Sequence, residues 1–103
     1  MLFRSEGHDL VITVPIAPWE AALGTKVNVP TLDGEITMRI PAGSQTGARL
    51  RVRGKGLAGK QGQGDLYAVL KVVMPDRGGD AIDEQWRMLA SNCDFDARAN
   101  WRD

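Results

Sequence analysis

The sequence holds one cysteine, Cys93, and one histidine, His8. A single thiol builds no disulfide framework and has no second cysteine with which to form a zinc site. Asp94, next to Cys93, is an acid and not the basic neighbour that a reactive cysteine requires. His8 stands in a turn ahead of the first strand and lacks a nearby nucleophile, so it is read as a surface or turn residue. No serine occupies a recognisable nucleophile motif. The chain is expected to be no enzyme and to need no cofactor and no metal. Long apolar runs are missing too. The longest, residues 66–74, is broken by Lys71 and falls far short of the roughly 20 residues of a membrane helix. The opening Met1-Leu2-Phe3-Arg4 has none of the zones of a secretory signal. A cytoplasmic location without a membrane is expected. Nor is there an excess of either charge: 13 basic side chains face 13 acidic ones, which argues against a dedicated nucleic-acid module.

What is present is enough for one compact domain. The chain has 103 residues, 43% hydrophobic and 25% charged, values of ordinary globular proteins. Leu10, Ile12, Val14 and Ile16 recur at every second position and predict a strand with all four on one face. Pro15 and Pro18 end it, and Trp19-Glu20-Ala21-Ala22-Leu23 before Gly24 predicts a short helix. Asp33-Gly34 between two alternating segments predicts a two-residue hairpin turn. The register that follows sets Val29 opposite Met38, Val27 opposite Ile40 and Asn28 opposite Arg39. Pro30 places this stretch at an edge or a bulge. Leu50 and Val52, alternating with arginines, predict a further strand. Residues 54–64 carry five glycines in eleven positions and are expected to form a long mobile loop. Residues 66–74, apolar on both faces, predict a strand covered on both sides. After Gly78-Gly79, Asp80 is the expected N-cap of a helix whose Ile82, Gln85, Trp86 and Leu89 share one face. The order implies a mainly β fold: a small β-sandwich of two short sheets, a short helix after the first strand and a C-terminal helix. Residues 1–79 form the sandwich, and residues 80–103 form a helix and tail of the same domain.

Three sets of residues are candidate binding elements. Arg49, Arg51, Arg53 and Lys55 project from one side of a strand as a positive ridge about 14 Å long. It is either a solvated strand face or a seat for DNA phosphates or an acidic peptide. Residues 49–60 hold five basic residues and no acid, and the region after residue 75 is acid-rich, so an anion-binding face is expected mid-chain. The glycine-rich stretch fits no phosphate-loop pattern. Trp86, Leu89, Phe95 and Trp101 are core or docking groups on one reading and a self-association surface on the other. Ile12, Val14, Val27 and Val29 are candidate walls of a peptide groove, although alternation also assigns them to the core.

A series of ordered segments carries a resemblance. Phe3-Arg4-x-x-Gly7-x-Asp9-Leu10 is followed by Glu20-Ala21-Ala22-Leu23-Gly24, Val29-Pro30-Thr31-Leu32-Asp33-Gly34 and Ile40-Pro41-Ala42-Gly43-Ser44-Gln45-Thr46-Gly47. Arg53-Gly54-Lys55-Gly56-Leu57 and Gly64-Asp65-Leu66 complete it. Together they resemble the second C-terminal domain of DnaJ-type co-chaperones over nearly the whole chain. Ala17-Pro18-Trp19-Glu20 and the tail Phe95-Asp96-Ala97-Arg98-x-x-Trp101 most resemble the nucleoid-associated, DNA-binding branch of that family, with Ala97 where a proline is usual. The resemblance implies a β-sandwich that binds unfolded or partly folded client polypeptide and hands it to a heat-shock ATPase. It also implies a homodimer formed through the C-terminal end and, for that branch, DNA binding. The His-Pro-Asp signature of the J domain and a cysteine-rich zinc segment are absent. The chain is therefore expected to be a fragment that does not stimulate the ATPase by itself.

Overall fold

A computed structural model of the chain describes residues 3–59, 62–76 and 78–101. Strands β1 (Phe3–Glu6) and β2 (Asp9–Ile16) form an antiparallel hairpin. Its turn is Gly7-His8, with Gly7 at φ 65°, the backbone that a tight hairpin requires at its first central residue. Helix α1 (Pro18–Leu23) follows. Pro18 opens it with a preset φ, and Glu20 Oε1 accepts from the Ala17 N–H at 2.8 Å, the back-reaching half of a capping box. Then come β3 (Thr25–Thr31), β4 (Gly34–Ile40), β5 (Arg49–Val52), β6 (Ala58–Gly59), β7 (Gly62–Gln63), β8 (Leu66–Val72) and helix α2 (Asp80–Asn92).

The largest sheet runs β1-β2-β8-β5, and β3-β4 and β6-β7 each form a two-stranded sheet. β2 and β8 pair in parallel from Leu10↔Leu66 to Ile16↔Val72, a union that only the long intervening chain allows. The predicted face of β2 is borne out: Leu10, Ile12, Val14 and Ile16 are all buried. They meet Leu66, Ala68 and Leu70 of β8, Val29 of β3, Met38 and Ile40 of β4, and Ala21 of α1 in one cluster. The fold is the small two-layer β-sandwich that the pattern implied. Each fully buried aliphatic chain contributes roughly 1.5–3 kcal/mol by leaving water.

Four local expectations change. The β3–β4 turn is centred on Leu32-Asp33, not Asp33-Gly34, because Thr31 pairs with Gly34. Among the described residues no non-glycine residue has positive φ, and Gly34 has φ 120°, so the glycine supplies its unusual backbone one position after the turn. The Thr31 hydroxyl accepts from the Asp33 N–H at 3.2 Å and donates to the Gly34 carbonyl, which fixes that geometry. The register therefore shifts by two, giving Val29↔Ile36, Val27↔Met38 and Lys26↔Arg39. Parity survives, so the same side chains still face the core. Residues 66–74 yield a strand only to Val72, whose second face is half-covered: Tyr67 and Val69 are partly exposed. Helix α2 is capped by Gly79, and Asp80 is its first residue.

The glycine-rich stretch is the fourth change. It contains the β6–β7 hairpin and is pinned to the β1–β2 turn. The Leu57 N–H donates to the His8 carbonyl at 2.7 Å, and the Gly64 N–H to the Leu57 carbonyl at 2.8 Å. A Cβ on Gly59 would strike the His8 imidazole, and one on Gly64 would strike the His8 carbonyl. These glycines serve close approach of backbones, not freedom of movement.

Candidate binding surfaces

The arginines of β5 alternate as expected: Arg49 and Arg51 are exposed while Leu50 and Val52 pack against the core. Most of the ridge is already paired with acids. Arg49 lies 3.6 Å from Glu6, Arg51 2.6 Å from Asp65, and Lys55 3.5 Å from Asp33. Arg49 also lies over the Tyr67 ring, 4.8 Å from its centroid, a cation–π contact. Arg53, just past β5, has no ion pair among the described residues, and Lys60 lies outside them. The linear sequence hid this compensation because the acids come from three distant segments.

Asp65 is the hub of that surface. Its carboxylate accepts from the Gly54 N–H at 2.8 Å and from Arg51 Nε at 2.7 Å, while its own N–H donates to Asp9 Oδ1 at 2.7 Å. The Gly54 hydrogen bond, then the Arg51 guanidinium, hold its carboxyl below the usual range, since both favour the charged form.

Of the four groove candidates, Ile12, Val14 and Val29 are only 4%, 8% and 1% exposed, and Val27 packs against the same cluster. A foreign peptide cannot touch such side chains while the sandwich is closed. The structure places Ile12, Val14 and Val29 in the core with Val27 packed against it, and what it leaves open is backbone. Among the described residues β1 pairs with β2 alone, β5 with β8 alone, and β3 and β4 only with each other. The β3 border is blunted by Lys26 and by Pro30, which lacks an N–H.

The aromatic set divides. Trp86 is half-buried against Trp19, with ring centroids 6.5 Å apart. Ile82, Gln85, Trp86 and Leu89 line one side of a cleft of about 560 Å³, and Trp19 and Leu23 of α1 line the other. The helix face predicted from spacing is thus the one that turns inward. Phe95 and Trp101 stay 76% and 81% exposed, Leu23 79%, Met74 67%, and Met88 and Leu89 more than half. Trp19 and Leu23 were missed as members of this surface. Their signal was the apolar content of a helix too short to bury both faces.

No polar or charged side chain is buried among the described residues, and no group of three or more potential metal ligands occurs there. No helix is long and apolar enough to cross a membrane. The molecule is thus a β-sandwich with unpaired strand borders and an apolar end. Residues 1–75 match the DnaJ C terminal domain family, and the chain belongs to it. It is 59% identical over 101 residues to a "Curved DNA-binding protein" of Pseudomonas putida, across 97% of this chain and 32% of that protein. Proteins of the same name from Pseudomonas syringae pv. tomato and Serratia proteamaculans are 56% and 55% identical, over 98% and 97% of this chain and 32% and 33% of theirs. The chain spans about a third of the length of these relatives.

Proposed function

We propose that the chain is the client-binding and self-associating C-terminal module of a DnaJ-type co-chaperone. In the full-length protein it works beside a heat-shock ATPase, in the cytoplasm and at the nucleoid. The observation that carries client binding is the open border of β1, whose residues Phe3–Glu6 pair on one side only. An extended client adds there as a further strand. Backbone hydrogen bonds give it affinity without demanding a particular sequence, as a protein that must accept many unfolded chains requires. Family membership supports the reading, and the apolar end of the molecule supports homodimerisation through Trp86, Leu89, Phe95 and Trp101.

DNA binding is the second reading, favoured by the name of the relatives. The acids beside Arg49, Arg51 and Lys55 weaken the β5 ridge as its seat, because an arginine shared with a carboxylate has less to offer a phosphate.

The test is titration of the isotope-labelled chain with an extended unfolded peptide. The amides of Phe3–Glu6 are expected to shift, and a peptide with prolines at alternate positions, unable to donate along the border, is expected to bind much more weakly. Shifts confined to the cleft between α1 and α2 with β1 silent refute the strand-addition mechanism.

A further inference from the structure

Lys26 and Arg39 stand directly opposite each other in the β3–β4 ladder. Both are exposed, because the alternating partners Val27, Val29, Met38 and Ile40 face the core. Cβ atoms of directly opposed residues lie about 4.5–5.5 Å apart, and like charges so placed repel. Several cations elsewhere on the molecule are matched: Arg4 and Arg49 with Glu6, Arg51 with Asp65, Lys55 with Asp33, Arg87 with Glu84. Among the described residues Lys26 and Arg39 have no such partner.

They also share a depression of about 330 Å³ with Gly24, Thr25, Pro41 and Ala42, and no acid lines it. Gly24 keeps that depression open: it has φ 83°, and a Cβ there would sit 3.0 Å from the Ile40 carbonyl oxygen and 3.1 Å from the Ala42 nitrogen. Two residues along the ladder, on the same face, Thr37 Oγ1 donates to Asn28 Oδ1 at 3.0 Å. The Asn28 amide NH₂ is then a further donor on the same face.

We propose that Lys26 and Arg39, with Thr25 beside them, bind a phosphate-type oxyanion on the outer face of the β3–β4 sheet. An oxyanion between the two cations replaces repulsion with charge-assisted hydrogen bonds, the guanidinium offering a planar fork and the ammonium a point charge. The oxyanion belongs either to a free phosphate compound or to the phosphodiester backbone of a nucleic acid. The site is independent of the client reading and of the β5 ridge.

The experiment is titration of the isotope-labelled chain with inorganic phosphate at ionic strength held constant by sodium chloride. Saturable shifts are expected at Thr25, Lys26 and Arg39. Lys26→Gln and Arg39→Gln each weaken binding by about tenfold, the scale of one charge-assisted hydrogen bond, and Arg51→Gln leaves it unchanged. Both substituted side chains are exposed, so the fold persists, and an unaltered amide spectrum elsewhere verifies that. A second arm titrates a DNA duplex. If the backbone is the source, phosphate competes and the Lys26→Gln/Arg39→Gln protein loses about two units of salt slope. If DNA binding is unchanged while phosphate binding is lost, the site stands and its ligand is a free phosphate compound. Absence of saturable shifts, shifts centred on residues 49–55, or phosphate affinity indifferent to both substitutions overturns the proposal.

Discussion

Replacing Trp101 with serine separates two roles for the aromatic tail, because the residue is almost irrelevant to the monomer and central to the proposed dimer. Trp101 is 81% exposed, so its loss removes little that the isolated chain has buried. A surface substitution of this kind changes monomer stability by no more than about 0.5 kcal/mol. A tryptophan carries roughly 200 Å² of surface, and at about 25 cal/mol per Å² the uncovered part holds a transfer free energy of up to about 4 kcal/mol. Ordering costs reduce that to about 2 kcal/mol, the scale of an interface hot spot. A twofold dimer uses the residue twice, so Trp101→Ser weakens dimerisation by about 4 kcal/mol, or about a thousandfold in Kd. Sedimentation equilibrium over a range of concentrations measures this, and thermal unfolding of the dilute monomer supplies the control. A variant that dimerises as well as the parent refutes the assignment of the tail to the seam. A variant whose monomer unfolds far more easily refutes the claim that Trp101 covers nothing within its own chain.

The remaining predictions concern the frame that holds these surfaces. Leu70 is 1% exposed at the centre of β8, so Leu70→Ala leaves a cavity costing about 3–5 kcal/mol. Calorimetry should show a melting temperature lower by 10 °C or more; a drop of only a few degrees means the core collapses into the gap. The lowered pKa of Asp65 contributes stability that is fully present above the ordinary carboxylate range and is lost as pH falls through the folded value below it. Asp65→Asn is therefore less stable at neutral pH and loses less on acidification, as denaturant titrations at both pH values report; equal acid sensitivity in the two proteins contradicts the hub. Gly64→Ala drives a methyl into the His8 carbonyl and is expected to cost about 1–3 kcal/mol, with faster amide exchange at Leu57 than in the parent; unchanged exchange there means the hairpin is not held by this contact.

Periodicity made the layers legible and left the electrostatics obscure. The alternation of Leu10, Ile12, Val14 and Ile16 needs only the pleat of a strand to predict one buried face, and the spacing of Ile82, Trp86 and Leu89 needs only the pitch of a helix. Pairing between segments is different, since it depends on where a turn closes. Placing the turn at Asp33-Gly34 gives Val27 and Val29 apolar partners and leaves Ile36 opposite Thr31, and the observed turn, two register units away, does as well, leaving Ile40 opposite Thr25. Apolar matching cannot choose between registers of equal parity. The Thr31 hydroxyl decided it, and with the decision Lys26 came to face Arg39 where Asn28 had been expected. The ion pairs of the basic ridge were hidden for a related reason. The acids that meet Arg49, Arg51 and Lys55, namely Glu6, Asp65 and Asp33, arrive from the β1–β2 hairpin, the segment before β8 and the β3–β4 turn, positions that no local count of charge brings together. The glycines of residues 54–64 are ambiguous in the same way, because flexibility and close approach call for the same residue.

The shape of the molecule gives these surfaces a common cause. Its radius of gyration is 17.4 Å and its extents are 55 × 37 × 22 Å, whereas a compact domain of about 100 residues has a radius near 13 Å. At the α2 end Trp86 lies against Trp19, while Leu89, Phe95 and Trp101 stay more than half exposed. A helix with no buried residue gains little from water exclusion within its own chain, and 13 residues are marginal for an isolated helix in water. In the proposed dimer a second copy covers the apolar groups left exposed around the cleft and adds to the stability of α2. If so, the amide exchange of α2 slows as the chain is concentrated while that of β2 and β8 stays constant, and exchange of α2 that is indifferent to concentration refutes its place in the seam.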